Sequence, residues 1–598
     1  MCGIMGYVGQ ENAAEIIIKG LESLEYRGYD SAGIALNIGT ETKIIKCTGS
    51  PTNLWDKTDN IFSNIGIGHN RWATHGTANE KNAHPHISQN NKFSVVHNGI
   101  IENYNDLKNE LTEKGYDFIS ETDTEVIAHL LEENYKGDLK GAVITTLTKL
   151  KGSYALGILC QDYPDTVVCA KFSSPLFVGT GVNCSFLASD TTALSEKSER
   201  IFRLNDREIG FLSKNGLKVF DTEGCRIRKT EIKIKNHERM IDKSGYQHYM
   251  LKEIHEQPTA IRATLSEICN EKKIHFKGLK WSANEIKQIN NVQFIACGSA
   301  YHVGMVGSYV CEELFKRRSS SEIASEFRYK YPNVDSNTLV IIISQSGETA
   351  DTLAAMRIAK EKGAKIISIV NVENSTIAME SDCIILTKAG KEVAVATTKA
   401  YSAQLTVVYA LMIYLSVLSG ELNRKKAGQL LTELKRIPEK VDNILSKEIN
   451  YDELSDKVVN SKYICFIGRN LEYCTATEAS LKLKEISYIP CEAYASGELK
   501  HGTISLLKED SLIIALNCSK RLRAKNLSNI KEATSRGTDL FLISSDDNNA
   551  EIVIPETDDL LYPLLEIVPL QLLAYYTALK KGCEIDKPRN LAKSVTVE

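Results

Sequence analysis

The sequence lacks the features that mark several common protein classes. No two of its 15 cysteines are spaced as C-x-x-C, so it encodes neither a zinc ribbon nor a dithiol redox motif. Dispersed single cysteines are typical of reducing compartments, and we expect a cytoplasmic protein. The first residues contain no basic stretch followed by an apolar run, so no signal peptide is expected.

An excess of one charge sign is also missing. The 72 lysines and arginines nearly balance the 76 aspartates and glutamates, which gives a formal net charge of -4. Nucleic-acid-binding proteins usually have a basic excess, so we expect no nucleic-acid partner. The one stretch that resembles a membrane span, residues 400–420, contains Gln404, Thr406, Ser416 and Ser419. These polar residues favour a buried helix, and no membrane association is expected.

The chain is long enough for several domains, since 598 residues at about 150 per domain allow three or four. Residues 1–238 contain short β-type runs broken by Gly, Asn and Asp, with helical periodicity in only a few segments. This pattern predicts an α+β domain with antiparallel strands. A charged, weakly patterned stretch follows, and we assign residues 239–246 to a linker.

The remainder alternates strand-like and helical segments, the pattern of parallel sheets flanked by helices. Strand-like runs at 292–297 and 339–343 return roughly 170 residues later at 463–467 and 512–516, which indicates a duplicated domain. We therefore predict a first α/β domain at 247–425, a second at 426–585, and a C-terminal tail at 586–598.

The two copies differ in one loop. In the first copy, residues 344–349 read Ser-Gln-Ser-Gly-Glu-Thr, whereas residues 517–521 of the second read Asn-Cys-Ser-Lys-Arg. Hydroxyls and backbone N–H groups at the start of a helix can bind an anion, although Ser346 could equally be an ordinary N-cap. Because a loop that works in both copies would keep its donors in both, we expect one ligand site for the pair.

Cys2 is a candidate nucleophile. Removal of Met1 would place its thiol beside its own α-amino group, whose pKa of about 8 suits it to accept the thiol proton. A buried structural cysteine is an equally good interpretation from position alone. Three polar motifs bear on the choice, at 68–76, 97–99 and 121–125. Each could separately be structural, as a surface ion pair, a turn or a helix cap.

Together these motifs resemble the N-terminal-nucleophile glutaminase of class II amidotransferases, as does Tyr-Arg-Gly-Tyr-Asp-Ser-Ala-Gly at 26–33. The resemblance implies antiparallel sheets between helices, with Cys2 attacking the glutamine side-chain amide. Asn98 and Gly99 would hold the oxyanion, a contribution of about 3 kcal/mol per donor. The resemblance implies a role in glutamine binding or ammonia release for five further residues: Arg71 at the α-carboxylate, Asp123 at the α-ammonium, Trp72 at the ammonia exit, Thr74 and His75.

The 344–349 loop resembles the sugar-phosphate loop of the sugar isomerase (SIS) domain, and the duplication matches that family's paired domains. The implied sugar-phosphate contacts are Ser299, Ser344, Gln345, Ser346, Thr349 and the backbone near Val395. The chain as a whole is similar to amidotransferases that join a class II glutaminase to two SIS domains. Further motifs carry this similarity at 324–329, 481–488, 497–502 and 588–598.

The whole-chain resemblance implies an enzyme that makes glucosamine 6-phosphate from L-glutamine and fructose 6-phosphate, with no cofactor or metal. Lys593 would form a Schiff base, Glu485 with Lys482 would move a proton between carbons 1 and 2, and His501 would open the sugar ring from the neighbouring subunit of a homodimer. From the residues alone, Lys593 could be a solvated tail lysine. Lys482 and Glu485, at i and i+3, could form a surface ion pair, which Glu478 makes more plausible.

Some features depart from the resemblance or suggest alternatives. Ala300 and Thr503 stand where these enzymes usually have Ser and Pro, which puts one sugar contact and one loop's stiffness in doubt. His84 and His86 have a ligand-like spacing but no third ligand nearby, so we predict a structural loop. The main alternative function is a non-catalytic SIS-type sugar-phosphate sensor. Other class II amidotransferases, which make phosphoribosylamine or asparagine, need loops that are absent from the sequence.

Overall fold

The computed structural model describes residues 2–39, 41–72, 76–194, 198–232, 242–270, 273–547 and 549–596. The chain forms two compact units. The first comprises Met1–Ile241 together with Ala592–Glu598, and the second comprises Asp242–Leu591. Residues 239–241 of the predicted linker lie outside the described residues, and the predicted domain boundaries remain predictions.

The described residues of the first unit form fourteen strands and five α-helices. The strands are β1 (Gly3–Val8), β2 (Ser31–Ile38), β3 (Glu41–Thr48), β4 (Ile65–Arg71), β5 (His86–Ile87), β6 (Phe93–Ile101), β7 (Gly152–Cys160), β8 (Val167–Phe172), β9 (Phe177–Gly181), β10 (Cys184–Ala188), β11 (Arg200–Arg203), β12 (Glu208–Ser213), β13 (Gly216–Phe220) and β14 (Arg226–Ile227). The helices are α1 (Ala13–Ser23), α2 (Trp55–Thr58), α3 (Tyr104–Glu113), α4 (Glu125–Asn134) and α5 (Leu139–Lys149).

These strands form two seven-stranded antiparallel sheets, in the orders β11-β9-β10-β1-β4-β2-β3 and β14-β13-β12-β8-β7-β6-β5. Buried apolar side chains from both sheets, such as Ile67 and Val96, pack together between them. A second cluster joins α1 to the outer face of the first sheet, and a third joins α4 and α5 to the second sheet. The predicted antiparallel sheets between helices are therefore confirmed.

The second unit contains thirteen α-helices and ten strands among its described residues. The helices are α6 (Tyr249–His255), α7 (Gln257–Ile268), α8 (Ala283–Gln288), α9 (Gly298–Val310), α10 (Ala324–Phe327), α11 (Ala350–Glu361), α12 (Thr376–Glu380), α13 (Lys399–Ser419), α14 (Arg424–Leu445), α15 (Tyr451–Asn460), α16 (Leu471–Ser487), α17 (Arg523–Thr534) and α18 (Pro563–Lys580). The strands are β15 (Asn291–Ala296), β16 (Arg318–Ile323), β17 (Thr338–Ser344), β18 (Lys365–Val370), β19 (Cys383–Leu386), β20 (Tyr463–Gly468), β21 (Cys491–Ala495), β22 (Ser511–Asn517), β23 (Asp539–Ser544) and β24 (Ile552–Val553).

The second unit repeats one topology twice. Its two five-stranded parallel sheets have the orders β16-β15-β17-β18-β19 and β21-β20-β22-β23-β24, which are the same order in the two copies. Even a local backbone feature is shared, because Gly298 (φ 55°) and Asn470 (φ 57°) both take a left-handed conformation just after β15 and β20. The predicted duplication and the predicted parallel α/β architecture are confirmed. We call the two copies the first half and the second half.

Two helical segments of the described residues are long and apolar enough to cross a membrane by length and composition, Lys399–Ser419 and Asp559–Lys580. Most of each apolar window lies inside the second unit, 83% and 89% respectively. Helix α13 supplies buried side chains such as Leu405 and Leu411 to a core that also includes side chains of α18. The segment at 400–420 is thus a buried core helix, as its polar residues predicted.

Candidate active sites

Cys2 lies beside the first strand of the first unit, where two of the predicted motifs meet. Pairing of β1 with β4 sets Gly3 opposite Asn70, which brings the end of β4 to Cys2. The backbone N–H of Trp72 donates to Cys2 Sγ at 3.4 Å. Asn98 Nδ2 donates to the carbonyl oxygen of Cys2 at 3.0 Å. The structure therefore brings Cys2, Trp72 and Asn98 together.

The surroundings of Cys2 favour the neutral form of its thiol. Burial raises the pKa of Cys2 above its ordinary value, and the positive charge of Arg71 only partly opposes this effect. A thiolate is the reactive form of cysteine, so a nucleophile in this setting needs a base that removes the thiol proton as the reaction proceeds.

Asn98 and Gly99 occupy strand β6, and each is fixed by a specific neighbour. His69 Nε2 lies 2.9 Å from the His97 carbonyl oxygen and 3.0 Å from Asn98 Oδ1, two acceptors, so this nitrogen carries the proton. That bond turns the Asn98 Nδ2 group towards Cys2. Gly99 has φ 133°, and a Cβ atom there would lie 2.1 Å from the Ser153 carbonyl oxygen. Only glycine fits this position.

The two predicted charged contacts of glutamine are both buried. Arg71, only 3% exposed, donates to the Gly76 and Thr77 carbonyl oxygens at 3.1 and 3.2 Å. Asp123, 4% exposed, accepts from the backbone N–H of Ile101 at 2.8 Å. These bonds fix both charges in place. Thr74 and His75, also predicted to bind glutamine, lie outside the described residues.

His84 and His86 sit in a buried network of histidines. The ring of His84 stacks on that of His69, with centroids 4.1 Å apart, and its Nδ1 accepts from the His97 N–H. His86 Nε2 lies 3.0 Å from Thr122 Oγ1. Burial lowers the pKa of both rings well below the ordinary value. Neutral, hydrogen-bonded rings agree with the structural interpretation of this loop.

In the second unit, the 344–349 loop connects β17 to α11. Ser344 Oγ accepts from the Gly347 N–H at 3.0 Å and lies 3.0 Å from Thr349 Oγ1. Ser346 Oγ accepts from the Glu348 N–H at 3.2 Å. Gly347 has φ 65°, and a Cβ atom there would lie 2.0 Å from Ser375 Oγ. The hydroxyls of the loop thus gather in a tight turn at the start of a helix, a typical anion site.

Two further predicted sugar contacts, Ser299 and Val395, come from other segments of the second unit. Ser299 stands at the start of α9, after β15, and the carboxyl ends of the neighbouring parallel strands β15 and β17 meet at one edge of the sheet. The backbone N–H of Val395 donates to the Asp586 carbonyl oxygen at 3.0 Å. Val395 can therefore offer a ligand its carbonyl oxygen but not this N–H.

The corresponding loop of the second half is filled by the protein's own carboxylates. Glu472 Oε1 accepts from the backbone N–H groups of Cys518 and Ser519 at 2.6 and 2.8 Å. Asp559 accepts from the N–H groups of Lys520 and Arg521 at 2.9 and 3.0 Å. Four donors that could face an anionic ligand are thus already satisfied, which agrees with the expectation of one ligand site for the pair.

A buried chain of polar groups leads from Ser299 into helix α16. Lys482 Nζ lies 3.0 Å from Ser299 Oγ, 2.6 Å from Glu485 Oε2 and 3.4 Å from Glu478 Oε1. Glu478 in turn lies 2.7 Å from His302 Nδ1. The Lys482 and Glu478 side chains are 1% and 0% exposed, so the surface ion-pair alternative is wrong.

Charges in this chain stabilise one another. Burial acts to lower the pKa of Lys482, but the carboxylates of Glu478 and Glu485 outweigh it and raise that pKa. Burial acts to raise the pKa of Glu478, yet the positive charge of Lys482 and the hydrogen bond from His302 bring it below its ordinary value. Lys482 therefore stays cationic, and the half-buried carboxylate of Glu485 is anchored beside it.

Three site residues were not singled out from the sequence. Glu472, His69 and His302 act through partners far along the chain, and no local motif reports those contacts. The sequence carried one partial signal, since Glu472 occupies the place that Ala300 has in the first half. Both lie two residues beyond the left-handed positions Asn470 and Gly298.

The two remaining predicted catalytic residues, His501 and Lys593, lie outside helix α16. His501 ends the short helix Leu499–His501 and is exposed. Among the described residues, no hydrogen bond or ion pair joins it to Lys482 or Glu485. Lys593 is partly buried and lies in the C-terminal stretch that groups with the first unit.

Two groups of described residues have the spacing of metal ligands. Asp221, Glu223 and Cys225 lie in a turn where Asp221 Oδ1 already accepts two backbone N–H groups. Glu472, Cys518 and Glu566 lie within the second half, where Glu472 fills the loop. Neither group includes a predicted catalytic residue.

Comparisons with known proteins identify the family of the chain. The sequence matches the family described as glutamine amidotransferase domain over residues 69–196, and SIS domain over residues 285–414 and 457–580. Glutamine–fructose-6-phosphate aminotransferase (isomerizing) of Clostridium tetani is 48% identical over 608 residues, which cover 100% of each chain. The same-named protein of Caldanaerobacter subterraneus is 46% identical, again over 100% of each chain.

The chain belongs to the glutamine–fructose-6-phosphate aminotransferase (isomerizing) family.

A solved structure supports this membership. The C-terminal domain of glucosamine-fructose-6-phosphate aminotransferase from Francisella tularensis is 37% identical, with a TM-score of 0.55, and covers 58% of this chain and 100% of its own. The predicted fold class, the joined glutaminase and SIS parts and the predicted aminotransferase class are confirmed. The alternative of a non-catalytic sugar-phosphate sensor is not favoured, because relatives named as glutamine–fructose-6-phosphate aminotransferases match the chain from end to end.

Proposed function

We propose that this aminotransferase converts L-glutamine and fructose 6-phosphate into glutamate and glucosamine 6-phosphate, the first step of hexosamine and UDP-N-acetylglucosamine synthesis. The observation that carries the proposal is the full-length similarity to relatives named for this reaction. All 15 cysteines are free thiols, which supports a reducing compartment such as the cytoplasm. No cofactor, metal or nucleic acid takes part in the proposed reaction.

In the first unit, loss of Met1 frees the α-amino group of Cys2 to take the thiol proton. The sulfur then attacks the side-chain carbonyl carbon of glutamine, and ammonia leaves as the thioester forms. Asn98 Nδ2 and the Gly99 N–H stabilise the oxyanion, which the short distance from Asn98 to Cys2 supports. Water then cleaves the thioester and releases glutamate.

Glutamine is held by its two charged ends. Arg71 binds the α-carboxylate, and Asp123 binds the α-ammonium group, with Trp72, Thr74 and His75 completing the pocket. The buried, hydrogen-bonded placement of Arg71 and Asp123 supports these roles, because charges fixed before binding lose little entropy when the ligand arrives.

In the second unit, the 344–349 loop binds the phosphate of fructose 6-phosphate through Ser344, Gln345, Ser346 and Thr349. Ser299 and the backbone of Val395 contact the sugar. The cluster of hydroxyls at the start of α11 supports this role. Ala300 offers no hydroxyl, so the sugar lacks one contact there.

The chemical steps use residues from the second half and from the C-terminal tail. His501 opens the sugar ring, and Lys593 forms a Schiff base with the ketone carbon, with loss of water. Ammonia from the first unit replaces Lys593 at that carbon. Glu485 then moves a proton from carbon 1 to carbon 2, with Lys482 holding the Glu485 carboxylate in position.

The proposal is tested by assaying glucosamine 6-phosphate formed from the two substrates. Cys2→Ala should abolish synthesis from glutamine, whereas Cys225→Ala, which removes an exposed thiol, should leave it intact. Truncation after Asn590 should abolish synthesis and leave some glutaminase activity. Glutamine-dependent synthesis by Cys2→Ala, or normal synthesis by the truncated chain, would remove Cys2 or Lys593 from the mechanism.

We propose a homodimer in which His501 reaches the partner's site, which its exposed side chain supports. Light scattering should give twice the mass of the chain. Mixing inactive His501→Ala and Glu485→Gln proteins should restore about a quarter of wild-type synthesis, because one site of each mixed dimer is then complete. No restored activity in verified mixed dimers would show that His501 serves its own chain.

A further inference from the structure

The start of the C-terminal tail is fixed at two points within the second unit. At the first point, the buried carboxylate of Asp586 accepts from the backbone N–H groups of Tyr249 and Met250, both at 2.9 Å, at the start of helix α6. The Asp586 carbonyl oxygen also accepts from the Val395 N–H at 3.0 Å. One residue therefore joins the tail to a helix start and to the segment that we assign to the sugar.

The second point lies at the end of helix α16, which carries Lys482 and Glu485. The backbone N–H of Arg589 donates to the Tyr488 hydroxyl oxygen at 2.8 Å. The Arg589 guanidinium also lies over the Tyr488 ring, with its central carbon 4.2 Å from the ring centre. Tyr488 follows Glu485 by three residues and stands directly after α16. We call the two contact points, at Asp586 and Arg589, the tail anchor.

Capping of α6 alone would not explain the contacts of Asp586. A carboxylate at a helix start stabilises the helix wherever the chain goes next. Helix α6, however, also supports the segment that contains Val395, because Glu253 Oε1 accepts from the backbone N–H groups of Val393 and Ala394. The same short helix thus holds both the start of the tail and the 393–395 segment. A shared support fixes these two parts of the chain relative to each other.

The tail anchor also limits the volume that Lys593 can reach. Lys593 follows Arg589 by four residues, and an extended chain spans at most about 3.5 Å per residue, so the two Cα atoms stay within about 14 Å of each other. A Schiff base forms only when the amine nitrogen comes close to the carbonyl carbon in a suitable orientation. A restraint on the tail therefore raises the fraction of time that the amine spends in reach of its target.

We propose that Asp586 and Tyr488 are positioning residues, which hold the tail so that the Lys593 amine meets the ketone carbon of fructose 6-phosphate. The inference rests on the proposed function, because it assumes the Schiff base at Lys593. Each side chain acts through the tail backbone and does not itself contact the substrate. Their effect falls on formation of the Schiff base, whereas the 344–349 loop continues to bind the phosphate.

Reductive trapping on the full chain tests the proposal. Borohydride reduces the imine between Lys593 and fructose 6-phosphate to a stable secondary amine, which peptide mass spectrometry locates and quantifies. The variants are Asp586→Ala, which removes the carboxylate, and Tyr488→Phe, which removes one hydroxyl and keeps the ring. The matched controls are Asn423→Ala, which removes the side chain that caps α14, and Tyr331→Phe, which removes an exposed hydroxyl. Glutaminase activity and thermal unfolding report whether each variant is folded.

At saturating fructose 6-phosphate, we expect Asp586→Ala to lower both the Lys593 adduct and kcat for synthesis at least about 10-fold, and Tyr488→Phe to lower both about threefold or more. The KM for fructose 6-phosphate should stay within about twofold of wild type, and both controls should match wild type. If Asp586→Ala does not fold, Tyr488→Phe decides the outcome.

The proposal fails if the folded variants give wild-type amounts of adduct. It also fails if Asn423→Ala loses as much adduct as Asp586→Ala, because the loss would then be a general effect of a missing helix cap. Absence of the adduct from wild-type protein would instead refute the Schiff base at Lys593, and with it both the proposed role of Lys593 and the need to position it.

Discussion

The two halves of the second unit share one fold but present different functional groups. Both place a loop at the carboxyl end of the third strand of the half, β17 or β22, followed by a helix. In the first half this loop presents hydroxyls, and in the second its N–H groups are bonded to Glu472 and Asp559. The second half contributes instead the Lys482–Glu485 pair from α16.

The difference shows how a duplicated loop can stop binding a ligand without loss of stability. A helix start with open N–H groups is stable when an anion binds it, and unsatisfied buried donors cost about 1–3 kcal/mol each. The Glu472 carboxyl oxygen provides a permanent acceptor for the N–H groups of the loop in the second half. Ala300, at the same place in the first half, has no carboxylate, which agrees with the substrate phosphate that we propose for this loop.

The largest effect is expected from the chemical group that only the second half supplies. Glu485→Gln should lower synthesis of glucosamine 6-phosphate about 1,000-fold, because an amide cannot move a proton between carbon atoms. Glutaminase activity in the first unit should remain. Both activities are measured on the same preparation, with glutamate and glucosamine 6-phosphate as the readouts.

The matched control is Glu313 of the first half. Along the sequence, Glu313 follows the start of β15 by as many residues as Glu485 follows the start of β20. Glu313→Gln should leave synthesis within about twofold of wild type, since surface substitutions seldom have large effects. Equal losses in the two variants would mean that the halves do not differ in the way proposed.

The next effect comes from giving the first half the carboxylate of the second. Ala300→Glu should place a negative charge against the 344–349 loop and displace the substrate phosphate. Losing two charge-assisted hydrogen bonds at about 1.5–3 kcal/mol each predicts a KM for fructose 6-phosphate more than about 100-fold higher. Ala300→Gln, similar in size but neutral, should have a smaller effect. An unchanged KM in Ala300→Glu would contradict the proposed correspondence with Glu472.

Much of this architecture was predictable because the repeated elements are local. The apolar strands and the Gly-containing turns after them, such as those at Gly298 and Gly347, identify parallel strands and their loops within short windows of sequence. The identity of Cys2, Asn98 and Gly99 followed from motif resemblance. The occupied loop was not predictable in the same way, because Glu472 meets Ser519 only after two strands have paired.

A smaller effect is expected from one hydroxyl in the two equivalent loops. Ser346→Ala should raise the KM for fructose 6-phosphate about 10-fold or more, the value of one hydrogen bond to a charged phosphate. Ser519→Ala, at the same loop position of the second half, should leave the KM unchanged because Ser519 bonds Asp559 instead. Similar KM values for the two variants would show that the 344–349 loop does not recognise the phosphate through this serine.

Burial was equally hard to predict from the sequence. The spacing of Glu478, Lys482 and Glu485 fits a surface ion-pair ladder as well as a buried site, since both need one helix face. Contacts with Ser299 and His302 distinguish the buried site from a surface ladder, and both residues come from the first half of the duplicated fold. A pattern in one helix cannot report what the neighbouring helix covers.

The smallest effect concerns the buried carboxyl pair Glu472 and Glu566 of the second half. Glu566 is fully buried near Glu472, and burial raises the pKa of Glu566 well above its ordinary value, while burial raises that of Glu472 to about 7. A carboxyl group with a raised pKa in the folded state stabilises the fold below the unfolded value of about 4.3, and this stabilisation is lost as pH rises. Wild-type stability in urea should therefore fall between about pH 5 and about pH 7, by up to about 1.4 kcal/mol per pH unit.

Glu566→Gln should flatten that decline, because the amide imitates the protonated acid and cannot titrate. Glu509→Gln, an exposed carboxyl of the same half, should keep the wild-type slope. If Glu566→Gln also keeps the wild-type slope, the raised pKa values of Glu566 and Glu472 are not the cause of the decline in stability.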